Sequence, residues 1–81
     1  MKEFIIRTPQ QFGPVLQGYR KARGLTQANV GRTVGLPQGE ISKLELDPSR
    51  TSLGRIFKLL ATLDLELVVR PRGENTPPSE W

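Results

Sequence analysis

The chain contains neither cysteine nor histidine. Disulfide staples, thiolate chemistry and the usual zinc sites are therefore excluded, and no cofactor is expected. Long apolar runs are missing too: nothing approaches the roughly 18 residues of a membrane span. The opening MKEFIIRTPQ turns polar too quickly for a signal peptide, so the expected compartment is the cytoplasm, without a membrane partner. Acidic residues are absent from Phe4 to Gly39, where Arg7, Arg20, Lys21, Arg23 and Arg32 accumulate. From Leu59 onward the balance reverses, with Asp64, Glu66, Glu74 and Glu80 against Arg70 and Arg72. Aromatics are scarce, at 6% of residues, and the single tryptophan is the last residue, Trp81.

What is present fits one small core. Eighty-one residues leave no room for a second domain, and an apolar fraction of 36% can close a helical bundle only marginally. A partner subunit would help. The net charge of +4 favours polyanions, and the charge gradient places the basic face in the first two thirds.

Periodicity divides the chain into short helices. Phe4-Ile5-Ile6 reads as a strand or as an arm packed on the core. Thr8 caps a first helix with Pro9 at its first position and Gln11 completing a capping box, and Phe12, Val15, Leu16 and Tyr19 form its inward stripe up to Gly24. Thr26 caps a second helix, which carries Val30 and Val34 inward and ends at Gly35. Pro37 opens a third in its first turn, with Ile41 and Leu44 inward. Two short helices joined by a glycine-containing turn have the form of a helix-turn-helix. Asp47-Pro48-Ser49-Arg50 is a loop. Ser52 caps a fourth helix whose stripe is Leu53, Ile56, Phe57, Leu60 and Leu63.

Beyond Leu63 the repeat shortens to two: Leu65, Leu67 and Val69 alternate with Glu66, Val68 and Arg70, as in a half-buried strand. A lone strand needs a partner, either Phe4 to Ile6 or the same strand of a second copy, which makes Leu65, Leu67 and Val69 the candidate dimer interface. Residues 1–72 are thus read as one domain and residues 73–81 as a flexible tail. Gly13, Gly18, Gly31, Gly39 and Gly54 fall inside these helices at about 0.5 to 1 kcal/mol each. Only Gly31 has an evident reason, a close approach of the first two helices.

The stretch Arg20-Lys21-Ala22-Arg23-Gly24-Leu25-Thr26-Gln27, followed by Val34-Gly35-Leu36-Pro37-Gln38-Gly39-Glu40-Ile41-Ser42-Lys43-Leu44-Glu45, resembles the Cro/C1 (Xre) helix-turn-helix family. The resemblance implies a mostly α, lambda-repressor-like DNA-binding domain of about four to five helices, with the C-terminal strand completing an intersubunit sheet. It implies that the third helix enters the major groove of duplex DNA, that Gln27 clamps a phosphate, and that Arg20 and Glu45 form a buried ion pair. The residue types agree with that reading. Gln38 can pair with adenine, Ser42 can contact either base type, Lys43 can reach guanine or phosphate, and Gly39 clears space. Pro37, Arg32 and Arg50 complete the candidate DNA-binding set, and Arg55, in a first helical turn where a cation opposes the dipole, suggests another phosphate neighbour. Pro37 stands where a capping side chain is common in the family, and the glycine often found after Glu45 is missing.

The order of elements, with Asp47-Pro48 after the third helix, a fourth helix running straight into a strand, and a Glu80-Trp81 terminus, resembles the HipB-type antitoxins. This implies a homodimeric, nucleoid-associated autorepressor that neutralises a HipA-like serine/threonine kinase toxin, with Trp81 as a toxin-binding anchor. A free-standing repressor and a protein–protein adaptor on the same fold are the alternatives. An enzyme is the weakest reading, for lack of His, Cys, a phosphate-binding glycine loop or paired buried carboxylates.

Overall fold

The computed structural model describes residues 3–73, so Gly73 is the only described residue of the expected tail and Trp81 lies outside the described part. A 3-10 turn at Pro9–Gln11 leads into α1 (Phe12–Ala22), followed by α2 (Gln27–Val34), α3 (Gln38–Leu46), a second 3-10 turn at Pro48–Arg50, and α4 (Leu53–Thr62).

Local chemistry accounts for most boundaries. The Gln11 side chain turns back to accept from the Thr8 amide at 3.1 Å, in the capping arrangement expected. Gly24 takes φ +69°, so the Leu25 amide reaches the Arg20 carbonyl at 3.0 Å and the Gly24 amide reaches Lys21 at 2.9 Å, the doubled bond that closes a helix end. Thr26 Oγ1 accepts from the Asn29 amide at 3.0 Å, and Asn29 Oδ1 accepts from the Thr26 amide at 2.9 Å. Gly35, at φ +78°, ends α2. Pro37 sits one position earlier than expected: it is the extended residue before α3 rather than its first turn.

The core gathers Leu16 and Tyr19 of α1, Val30 of α2, Ile41 and Leu44 of α3, and Ile56, Leu59, Leu60 and Leu63 at the α4 end. Phe12, Val15, Leu25, Val34 and Leu36 pack around it. The expected α4 stripe needs correction: Leu53 is 62% and Phe57 48% exposed, while Leu59 is buried. Ile56, Leu59, Leu60 and Leu63 recur at three- and four-residue steps and satisfy the core by themselves. Phe57 stands about 100° to the side of Ile56 on the helical wheel, and Leu53 lies in the opening turn, ahead of the first side chain that reaches the core.

No strand is assigned among the described residues, and no backbone hydrogen bond joins Phe4–Ile6 to residues 65–70, so within one chain the C-terminal segment is unpaired. α4 closes at Leu63, with Asp64 in the left-handed region at φ +57° and the Leu65 amide on the Leu60 carbonyl at 2.7 Å. Leu65 packs on the core, whereas Leu67 is 44% and Val69 91% exposed. A single chain offers this segment no ladder, so its alternation cannot become a strand. At the other end, the Phe4 ring meets Tyr19 edge-on with centroids 5.9 Å apart, although Phe4 and Ile5 remain mostly exposed. The amino-terminal segment is an arm, not a strand.

Two helical glycines mark backbone contacts. A Cβ on Gly13 would collide with the Glu45 carbonyl, and one on Gly31 with the Leu36 carbonyl. Gly31 therefore clears space for the turn into α3 rather than for α1, and Gly13, for which the sequence offers no evident reason, lets α1 press against the end of α3. Among the described residues no helix is long and apolar enough to cross a membrane.

Candidate nucleic-acid interface

The site is built around one buried charge pair. Arg20 projects from α1 and Glu45 from α3, and their side chains are 8% and 6% exposed. The guanidinium donates from Nε to Glu45 Oε2 at 2.6 Å and from Nη2 to Oε1 at 3.1 Å, while Nη1 reaches the Leu25 carbonyl at 2.8 Å. The planar fork matches the carboxylate, which is the geometry that repays desolvation of both charges. It joins α1, the α1–α2 turn and the far end of α3.

From this pair a chain of amides leads to the surface. Gln27, first residue of α2 and half-buried, donates from Nε2 to Glu45 Oε1 at 3.0 Å. Gln38, first residue of α3 and exposed, donates from Nε2 to Gln27 Oε1 at 2.8 Å. Gln27 also stands where the leading amides of α2 concentrate partial positive charge.

The other candidates spread around this chain. Gly39 faces open space and Ser42, one turn along from Gln38, is half-buried. Pro37 and Arg32 are exposed at the turn and in the last turn of α2. Lys43 lies 3.8 Å from Glu40 with 78% of its side chain exposed, and Arg50 lies 3.2 Å from Asp47 with 87% exposed. Such exposed pairs contribute little, so a phosphate can displace the carboxylates at small cost. The Ser49 hydroxyl holds the Asp47 carboxyl below its usual range, with a further contribution from the Arg50 charge.

Sequence reasoning missed three features. Glu40 is the counter-charge shared by Lys43 and by Arg55, which approaches it at 4.0 Å, so Arg55 already has an acidic neighbour. Leu46, 82% exposed, continues the Gln38–Ser42 stripe at a four-residue step. That spacing was readable, but an apolar residue on a helix is ordinarily assigned inward. Leu53, Phe57 and Val68 add exposed apolar surface to Leu67 and Val69.

Two short helices at a tight turn, the first capped by Thr26 and the second presenting an amide and small side chains, define a helix-turn-helix protein. A Helix-turn-helix family model matches residues 16–69. The chain is 33% identical over 82 residues to "Antitoxin HipB" of Escherichia coli O6:H1 strain CFT073, covering 94% of this chain and 87% of that protein. It is 30% identical over 74 residues to "Antitoxin HipB" of Escherichia coli K12, covering 91% and 84%. It belongs to the HipB antitoxin family of helix-turn-helix proteins. Among solved structures, a HipB variant in a complex with an O2 20mer superposes with a TM-score of 0.83 at 29% identity, covering 89% of this chain and all (100%) of the other. A HipA–HipB–O2–O3 complex matches at 0.81 and 28% identity, covering 88% and 100%.

Proposed function

We propose that two copies of this chain bind duplex DNA as a repressor of their own operon, with α3 of each in successive major grooves, and that the dimer also binds and neutralises a HipA-like serine/threonine kinase in the cytoplasm. The observation that carries the DNA half is the placement of Gln38 on the solvent side of α3, tethered from behind by Gln27. Gln38, Gly39, Ser42 and Lys43 face base edges; Gln27, Arg32, Pro37 and Arg50 line the phosphate ridges. Kinships to HipB in an O2 20mer complex and in a complex with HipA support both halves. Operator recognition by a dimer needs recognition helices about 34 Å apart. Leu67 and Val69, exposed beyond half-buried Leu65, are the apolar positions through which a second copy pairs, its C-terminal segment supplying the ladder that one chain lacks. Trp81 is the residue we assign to the kinase.

Affinity for the operator, measured against salt concentration, tests this reading. For a dimer, log affinity should fall against log salt with a slope of about −5 or steeper, near −0.9 per phosphate neutralised. A flat response removes the DNA half. Failure of a HipA-like kinase to co-purify with the chain from its native cell removes the other.

A further inference from the structure

We propose that Leu46, the last residue of α3, is a further specificity-determining residue of the DNA face, its side chain covering the C5-methyl group of a thymine in the major groove; the inference rests on α3 entering the groove as above.

Leu46 adds nothing to the core. It is 82% exposed, whereas Ile41 and Leu44 of the same helix are buried. With 3.6 residues per turn it stands about 140° around the helix from Ile41 but only about 40° from Ser42, so it extends the outward row that begins at Gln38. A rise of about 1.5 Å per residue puts it about 12 Å from Gln38 along the axis, at a different base pair. The turn that carries it is held firmly. The Asp47 amide closes that turn on the Lys43 carbonyl at 2.8 Å, Arg20 holds the adjacent Glu45 at 2.6 Å, and Gly13 brings α1 against the Glu45 carbonyl. The place of Leu46 is thus set before any partner arrives.

Its surroundings select that partner. The cleft on one side of Leu46 includes Gln10, Gln17 and Ser42 in its lining, and the cleft on the other includes Lys43 and Arg50. Amides, a hydroxyl and cations are the groups that meet phosphates and base edges. An apolar protein surface laid on Leu46 would desolvate these groups without pairing them. A duplex pairs them, and its major groove carries one apolar group, the thymine methyl. Contact between Leu46 and that methyl takes apolar area of both out of water. No other base has a methyl there, so the contact discriminates.

The probe is a 20-base-pair duplex selected by the wild-type chain from a randomised pool, with each thymine then replaced singly by deoxyuridine. That exchange removes one methyl group and leaves every hydrogen-bonding atom of the base pair in place. At one thymine in each half-site it should weaken wild-type binding about fourfold, the worth of one buried methyl group. Leu46→Ala should be indifferent to the exchange at that thymine and respond as wild type does at all others, and Leu46→Met, which keeps the apolar reach, should retain the effect. Both variants should melt like wild type, because the side chain lies in water; a lowered melting temperature would give the leucine to the fold instead and contradict the proposal. An exchange profile of Leu46→Ala identical to that of wild type, or no thymine that responds, overturns it as well. So does a Leu46→Ala chain that loses only the capture of a kinase, which assigns the residue to a protein partner. A wild-type chain that selects no duplex sinks the DNA reading itself, whereas a selected duplex without a methyl effect that depends on residue 46 sinks this inference alone.

Discussion

Arg20→Met should cost about 3 to 5 kcal/mol of folding stability, because it strands the Glu45 carboxylate where water cannot reach it. The Arg20 and Glu45 side chains are 8% and 6% exposed, and the guanidinium provides two of the three hydrogen bonds that Glu45 accepts. A domain this small has about 5 to 15 kcal/mol in total, so the single variant should sit near or past the edge of unfolding at 37 °C. The double variant Arg20→Met, Glu45→Leu should recover most of the loss, since it leaves no buried charge without a partner. Urea unfolding followed by circular dichroism gives both values. A single variant as stable as wild type would show that the pair is solvated and does not organise the site.

Gly13→Ala and Gly18→Ala should move stability in opposite directions, though both lie in α1. At Gly13 the added methyl meets the Glu45 carbonyl, a backbone atom that cannot swing aside, and forcing α1 and α3 apart should cost about 1 to 3 kcal/mol. At Gly18 nothing lies within 4 Å of the added carbon, so the helix should gain about 0.5 to 1 kcal/mol from reduced freedom of the unfolded chain. Thermal melts of the two variants decide it. Equal shifts of either sign would mean that α1 does not press on α3 as described.

These two residues also show where sequence reading works and where it stops. Boundaries marked by local chemistry were readable: Thr26 before α2, Gly24 and Gly35 after α1 and α2, and Ser52, whose hydroxyl accepts from the Arg55 amide at 3.1 Å. A cap and its partner lie within three or four residues, so the pattern is written in one place. Gly13 was not readable, because its neighbour is 32 positions away in sequence, from 13 to 45. The Arg20–Glu45 pair came from family resemblance, and its extension through Gln27 to Gln38 became visible only once α1, α2 and α3 stood together. The alternation after Leu63 reads as a strand that needs a partner, either Phe4–Ile6 or a second copy, and the first of these does not pair with it. A ladder is made by two segments, and the described residues contain only one of them.

The apolar positions of α4 carry a similar lesson. Five large apolar residues were assigned to one stripe, yet the core takes Ile56, Leu60 and Leu63 from that set, adds Leu59, and leaves Leu53 and Phe57 in water. Periodicity reports which positions are apolar, but not whether the surface that covers them belongs to the same chain.

The central claim is that α3 reads bases with its outward side chains, and the most direct measurement compares wild type with Gln38→Ala on a selected operator duplex and on random DNA. Gln38 is exposed and makes no core contact, so the variant should fold normally. The account predicts a loss of about 1 to 3 kcal/mol in binding to the operator and almost none on random DNA. Equal affinity of the two proteins for the operator, or an equal loss on both DNAs, would contradict it.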